Sequence, residues 1–457
     1  MTERTPSVIS PELHSSSRER RRVVFATVAG TTIEWYDFFL YATAAGLIFS
    51  KVYFEPAGEA AAPLLAFLTV GISFLFRPLG AFLAGHFGDR YGRRVVLMAT
   101  LVLMGASTAL IGLLPTFDSI GVVAPILLVL LRILQGISAG GEWGGAALLA
   151  VEHAPTRRRG IFGASPQIGT PLGLLLASGM LATMTLIAPG DAFLEWGWRV
   201  PFILSVALIA IGYYIRRRVD ESPVFSELAE RKKEARAPIV ELFRNHWRLV
   251  LLAALIPSAS QAAGYMTTGG YIQRYATDPA GPVGLNSGEV LWVVTASAVS
   301  WLIFTLVGGG LSDKIGRRKT MLLGWLLLAA ALLFLFPLVN TATTVGLFTG
   351  LTLVTVGLGM VIGPLSAHYT EIFPATVRFS GVSIAYALGA IVGGAFAPTI
   401  AQALVQATGS TGAVTVYLEA MVVVSIIATL LVRDRTGVPL GTEAEGRVER
   451  PIRGVNA

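Results

Sequence analysis

Twelve apolar stretches follow one another along the chain, at roughly 23–50, 61–87, 95–114, 121–151, 160–188, 200–215, 248–275, 289–311, 320–339, 344–370, 379–405 and 412–432, with polar segments between them. Their apolar residues run nearly unbroken instead of keeping to one face, the pattern of helices that meet lipid on one side and each other on the other. Most approach the ~20 residues that one bilayer crossing requires. The pattern therefore predicts an all-α membrane protein with twelve transmembrane helices. Composition agrees, since hydrophobic residues make up 54% of the 457 and charged residues only 14%, more apolar surface than a soluble chain could cover.

Charge adds an orientation. Of the 35 lysines and arginines, all but five lie in the two tails or in alternate loops; Lys51, Arg199 and Arg274 occupy the other loops, and Arg77 and Arg132 fall inside apolar stretches. Basic residues resist translocation, so the side they crowd is expected to be cytoplasmic, with both termini on it. The net charge of +7 is then a topology signal, and no nucleic-acid partner is expected. Arginines ahead of an apolar stretch also describe a secretory signal. This stretch exceeds an apolar signal core of about 7–15 residues and contains Glu34 and Asp37, so an uncleaved first span is expected. The absence of cysteine excludes disulfides and thiolate metal sites.

The longest polar interruption divides the spans six and six. The expected organisation is a cytoplasmic N-terminal tail over 1–21, a six-helix bundle over 22–216, a cytoplasmic central loop over 217–247, a second six-helix bundle over 248–432 and a disordered cytoplasmic tail over 433–457. The halves repeat each other. Gly88-Asp89-Arg90-Tyr91-Gly92-Arg93-Arg94 follows the second span, and Ser312-Asp313-Lys314-Ile315-Gly316-Arg317-Arg318 follows the eighth; Glu152 and Arg159 flank the turn after the fourth, Glu371 and Arg378 the turn after the tenth. Duplicated bundles suit a carrier in which one half rocks against the other around a midplane site.

Ionisable groups at membrane depth cost ~2.5–3.5 kcal/mol each even on lenient insertion scales, so they mark candidate function. Glu34 and Asp37 share one face of the first span, Arg132 and Gln135 share one face of the fourth, and Arg77 and Glu142 complete the set. Three carboxylates against two arginines leave one acid over. A carboxyl without a cation in apolar surroundings favours its neutral, proton-bearing form. Glu34, Asp37, Arg132 and Glu142 are therefore the expected proton-coupling residues, with Asp37 or Glu34 as carrier and Arg132 as the partner it engages or releases; the alternative is a set of fixed buried ion pairs. Asp37, Arg77, Arg132, Gln135 and Gln167, with Gln261, Tyr265, Tyr271, Trp292, His368 and Tyr386 from the second half, are the candidate substrate-lining residues. The dipeptide Gly-Lys of a phosphate-cradling loop is absent, as is His-Glu-x-x-His, so neither ATP-driven transport nor a membrane metalloenzyme is expected.

The strings Glu34-Trp35-Tyr36-Asp37-Phe38, Phe76-Arg77-Pro78-Leu79-Gly80, Gly85-His86-Phe87-Gly88-Asp89-Arg90, Gly140-Gly141-Glu142-Trp143-Gly144-Gly145 and Trp196-Gly197-Trp198-Arg199-Val200-Pro201-Phe202 together resemble the major facilitator superfamily. Within it they are similar to the metabolite:proton symporters that carry shikimate, citrate, 2-oxoglutarate or proline/betaine. The resemblance covers the chain from Arg22 to about Arg435. It implies two pseudo-symmetric six-helix bundles, no enzyme activity and no cofactor beyond the proton gradient. The implied partners are a small-molecule substrate, protons and the lipid bilayer, and the implied state is a monomer in the inner membrane. It also implies a cytoplasmic gate formed by Gly88, Asp89, Arg90, Arg93 and Arg94, their repeats Asp313 and Arg317, and Glu152, Arg159, Glu371 and Arg378. The C-terminal tail lacks the coiled coil of osmosensing members, so an organic acid is the expected substrate of a symporter. Proline/betaine symport, drug or metabolite antiport, and a receptor without transport remain as alternatives.

Overall fold

The computed structural model describes residues 17–91, 93–140, 142–216, 238–374, 377–438 and 440, with side chains except at 17–20, 84–97, 215, 216 and 238–240. Its described residues form helical rods and turns, with no strand. In chain order the rods are α1 (Ser17–Ala44, continued by a wide turn over Ala45–Phe49), α2 (Ala61–Tyr91), α3 (Arg93–Leu113), α4 (Val123–Ala139 and Glu142–Glu152), α5 (Arg159–Ile187) and α6 (Arg199–Arg216). The second half repeats the series as α7 (Pro238–Leu255, Ser258–Thr268 and Tyr271–Thr277), α8 (Ser287–Ile315), α9 (Arg317–Val339), α10 (Thr344–Ile362 and Leu365–Ile372), α11 (Arg378–Gly389 and Ala397–Thr408) and α12 (Gly412–Leu431).

Ten of these rods are long and apolar enough to cross a membrane by length and composition, and Met98–Leu113 of α3 is a shorter apolar helix. The apolar run of α1 is interrupted by Glu34 and Asp37. Leucines, isoleucines and valines such as Leu113, Ile126, Leu186, Leu326 and Val416 stand exposed on outer faces, as lipid-facing positions require and a soluble surface would not tolerate in such number.

Several rods are broken where they approach the other half. Pro257 separates the first two segments of α7, and the third begins after Gly269-Gly270; α10 breaks at Gly363-Pro364, and α11 opens into a wide turn over Ala390–Ala395. Such breaks survive at membrane depth only where the freed backbone is enclosed by protein. The pairings match that need: α5 packs along both α1 and α8, α2 meets α11, and α7 meets α11 and α12.

The halves meet along α5 and α8 and close on each other at both ends. One, called the basic end below, carries the turns after α4, α8 and α10 and the segment after α12. At the opposite end a Cβ built on Gly46 of α1 would lie 2.2 Å from the carbonyl oxygen of Gly270. Gly270 itself has φ +96°, a conformation that side chains disfavour, and its amide donates to Gln273 Oε1 at 2.9 Å. Only glycine permits this backbone approach. Gly46→Ala is expected to wedge the opposite end apart. A lone cysteine replacing buried Thr267 in this cysteine-free chain should then react several times faster with an impermeant maleimide from that side, and an unchanged rate would refute the close-packing argument.

Candidate functional site

Glu34 and Asp37 lie on the buried side of α1, each 3% exposed, where that helix faces α2, α3 and α4. Their surroundings differ. Glu34 stands 3.6 Å from Arg77 Nη1 of α2, whose guanidinium carbon lies 4.4 Å from the ring centre of Phe74, one turn away on the same helix. Asp37 has Thr108 of α3 and Arg132 of α4 as its polar neighbours, yet neither carboxyl oxygen has a hydrogen-bond partner.

The reason lies in how its neighbours are spent. Arg132 donates from Nε to the Thr69 carbonyl at 3.3 Å, from Nη1 to Gln135 Oε1 at 2.8 Å, and from Nη2 to the Val70 carbonyl at 3.3 Å and Ser73 Oγ at 2.8 Å. The Tyr41 ring covers the cation, with its centre 3.8 Å from the guanidinium carbon. Thr108 donates to the Met104 carbonyl at 3.0 Å and accepts from Gln135 Nε2 at 2.7 Å. Asp37 makes no ion pair with Arg132, so the expected count of two acid–arginine pairs does not describe this site. Arg132, expected to be its ion-pair partner, is instead held by α2 oxygens and a ring face.

Around Glu34 and Arg77 the halves meet through aromatic rings. Tyr265 of α7 packs on Phe38 at 4.7 Å, Phe74 at 5.1 Å and Trp35 at 5.9 Å between ring centres. Toward the basic end Trp143 of α4 lies flat on Tyr386 of α11, centres 3.6 Å apart and planes 6° from parallel. Tyr265 and Tyr386 are both near enough to Glu34 and Arg77 to feel their charges, and Gln261 lies beside Tyr386. Of the candidate lining residues, the structure thus gathers Arg77, Gln261, Tyr265 and Tyr386, with Asp37, Arg132 and Gln135 beside them. Glu142 is buried next to Trp143 in α4. Gln167 bridges the halves nearer the basic end, donating to Ser366 Oγ of α10 at 3.0 Å. Three candidates lie elsewhere. Tyr271 stacks near Tyr275 toward the opposite end. His368 is buried in the lower segment of α10, in the field of Arg317, Arg318 and Asp434. Trp292 stands 45% exposed on α8, in a shallow groove with Glu289, Val345 and Phe348, because its register turns it outward.

At the basic end the repeated motif residues interlock across the halves. Asp313 Oδ1 and Oδ2 accept from the amides of Gly160 and Ile161 at 2.7 and 2.9 Å, so an acid of α8 caps the N-terminus of α5, where a helix favours negative charge. Arg317 donates to Asp313 at 2.7 Å and to both oxygens of Glu371 at 3.1 and 3.2 Å. Arg159 of the first half stands 3.7 Å from Glu371 of the second, and Glu152 of the first half lies in the field of Arg378 of the second. The first copy of the motif, Gly88, Asp89, Arg90, Arg93 and Arg94, falls outside the described side chains.

Sequence reasoning missed two features. Trp35, Phe38, Phe74 and Trp143 read as ordinary membrane aromatics, although Trp35 and Trp143 lie inside the very strings that carry the family resemblance. The segment after α12, expected to be disordered from residue 433, begins instead as a strap over the interlock. Thr436 Oγ1 accepts from the Arg317 amide at 3.0 Å and Asp434 Oδ2 from the Arg318 amide at 3.3 Å. Arg159 and Arg378 donate to the carbonyls of Val438 and Leu440 at 2.6 and 3.1 Å. Burial works against the charge of Asp434, but the hydrogen bonds from Thr436 and from the Arg318 amide outweigh it and hold this carboxyl below its usual range.

Comparison with known proteins decides what this arrangement belongs to. A model of the family "Sugar (and other) transporter" matches residues 23–246, and one of the Major Facilitator Superfamily matches residues 270–456. The inner membrane metabolite transport protein YhjE of Escherichia coli (strain K12) is 41% identical over 418 residues, 91% of this chain and 94% of that protein. The chain belongs to the major facilitator superfamily. It is a transporter, not an enzyme. The shikimate transporter of Escherichia coli (strain K12) is 36% identical over 91% of this chain and 94% of its own, and the proline/betaine transporter of Salmonella typhimurium 30% identical over 92% and 85%. Among solved structures, the proton:xylose symporter XylE bound to 6-bromo-6-deoxy-D-glucose superposes with a TM-score of 0.73 at 19% identity, covering 95% of this chain and 100% of that one, which establishes a shared fold.

Charge-assisted hydrogen bonds such as those of Asp313 contribute about 1.5–3 kcal/mol each. Asp313→Asn should therefore loosen this transporter at its basic end. A cysteine replacing buried Ala367, which packs beside Gly163 of α5, is expected to be modified from that side several-fold faster when combined with Asp313→Asn; equal rates would show that the interlock does not hold the halves together.

Proposed function

We propose that this transporter is a proton-coupled symporter that carries a small organic carboxylate inward by alternating access. It sits in the inner membrane with its basic end and both termini in the cytoplasm, needs no cofactor and acts as a monomer. The observation that carries the reading is the state of Asp37, a buried carboxyl with no hydrogen-bond partner beside an arginine whose donors are already engaged. Ionised, such a group would bear an uncompensated charge in low dielectric; neutral, it holds a proton that it can exchange when the site opens to either side. The interlock and strap at the basic end act as the cytoplasmic gate, and the Gly46–Gly270 contact closes the outer end. The names of the relatives favour an organic metabolite, and one of them transports shikimate. A zwitterionic substrate is the second reading, favoured by the aromatic rings near the acids and by the proline/betaine relatives.

Purified protein in vesicles should accumulate labelled shikimate or 2-oxoglutarate when protons are driven inward, and the lumen should acidify as it does. Efflux driven by the same gradient would identify an antiporter instead. Asp37→Asn is expected to lower gradient-driven accumulation at least tenfold while leaving exchange of internal for external substrate measurable. Undiminished accumulation in that variant would reject Asp37 as the proton carrier.

A further inference from the structure

We infer that Arg77 is the anchor for the substrate carboxylate, and that Glu34 is a placeholder which the substrate displaces, so that one proton must travel with each carboxylate. The inference rests on the symport reading above and assigns its binding step to named groups. Two arginines stand at membrane depth in the first half, and Arg77 has far more capacity to spare than Arg132. Arg132 spends four donated bonds on Thr69, Val70, Ser73 and Gln135. Arg77 is 7% exposed, its Nε has no partner, and its charge is met by Glu34 at 3.6 Å and by the Phe74 face. A carboxylate entering between the halves finds its cation there.

Unfilled donors cluster at the same place. Trp35 Nε1, Trp143 Nε1, Tyr265 Oη and Ser383 Oγ are all buried without hydrogen-bond partners. Trp35 and Tyr265 are in ring contact, Trp143 lies on Tyr386, and Ser383 Oγ packs on Gly144, beside Trp143. Partnerless donors set among aromatic faces suit a small carboxylate that carries a ring or apolar face together with oxygen acceptors, the latter taking the indole and hydroxyl hydrogens once the halves part to admit it.

Displacement accounts for the proton. When the substrate takes Arg77, Glu34 loses its counter-ion in an apolar setting and becomes neutral. The proton comes from Asp37, one turn further along the same face of α1: the O–H bond on Asp37 breaks, one forms on Glu34, and Asp37 takes a replacement proton from the medium on the loading side, so that the occupied site holds one more proton than the empty one. When the substrate leaves, Glu34 re-pairs with Arg77 and gives up its proton to the medium. The charged and titratable groups acting on this exchange are Arg77 from α2, Asp37 and Tyr36 along α1, Arg132 from α4, Tyr265 from α7 and Tyr386 from α11.

Binding of labelled shikimate, its neutral carboxamide and glycine betaine to the purified transporter tests this, with tryptophan emission of Trp35 and Trp143 as a second readout. Wild type should bind shikimate at least tenfold tighter at pH 6 than at pH 8, and the carboxamide at least tenfold more weakly than shikimate. Glu34→Gln should bind shikimate with the acid-pH affinity at both pH values, and Arg77→Lys should lose affinity at least tenfold while remaining monodisperse. The assignment is overturned if the carboxamide binds as well as the acid, if betaine binds and the carboxylate does not, if wild type binds none of the three, or if Glu34→Gln keeps the wild-type pH dependence. Gradient-driven uptake in vesicles separates the two levels. Uptake by wild type that is unaffected in Glu34→Gln and Arg77→Lys sinks the anchor and leaves the symport reading standing; the expected binding shifts without any gradient response sink symport and leave the anchor.

Discussion

A guanidinium satisfied by neutral oxygens is the interaction on which the centre of this transporter depends. Arg132 could have neutralised Asp37, and a buried pair of that kind is costly to break once formed. Instead α2 offers the carbonyls of Thr69 and Val70 and the hydroxyl of Ser73, α4 offers its own Gln135, and Tyr41 of α1 closes over the cation. The same bonds tie α2 to α4 through the middle of the first half. A rigid block results, and Asp37 stays outside the network, as a group must if its protonation is to change without unmaking the fold.

The two ends of the molecule close by different physics. At the end opposite the basic one closure is steric, glycine backbone against glycine backbone at Gly46 and Gly270, with no charge involved. At the basic end it is electrostatic: Asp313 caps a helix of the other half, Glu371 is shared by Arg317 and Arg159, and the strap from Asp434 to Leu440 supplies oxygens to arginines of both halves. Closely packed backbone can separate without leaving a charge behind. Separating the basic end exposes Arg159, Arg317, Arg378 and their acids together, and the water that enters can solvate each of them. That requires the arginine-rich end to face an aqueous compartment, which the distribution of basic residues along the chain independently demands.

Much of this could be read from the sequence because membrane physics leaves few choices. Continuous apolar runs have only the helix open to them, so the rods were legible to within their ends, and the repeated Asp313–Arg317 and Glu371–Arg378 signals located the interlock. The set of ionisable groups at membrane depth, Glu34, Asp37, Arg77, Arg132 and Glu142, was legible from their places in the apolar runs, but the expected pairing of Arg132 was not what formed. Nothing in Thr69-Val70 announces that their carbonyls will hold Arg132, because backbone acceptors carry no residue signature. Trp292 shows the converse limit. An aromatic at membrane depth is equally at home against lipid or against substrate, and only the register of α8 turns it outward. The strap was missed for a related reason. Arg433 to Leu440 is polar and punctuated by glycine and proline, a composition that does not fold alone but that pairs well with arginines supplied by other elements.

The arrangement of the acids also constrains how binding and gating can be linked. Glu34 and Asp37 are on α1, which packs along α5, and α5 is the helix whose N-terminus Asp313 caps from the second half. A change of charge at the centre is therefore one rigid helix away from the basic end. Moving α5 relative to α8 by the width of a hydrogen bond would cost both amide contacts of Asp313 at once, since the two oxygens of one carboxylate serve successive residues. Under the proposed alternating access the interlock would therefore pass from engaged to released with little between them. In the proposed cycle, an all-or-none contact at one end and a steric contact at the other would let small rearrangements around Arg77 and Tyr265 select which end parts, without either end having to deform continuously.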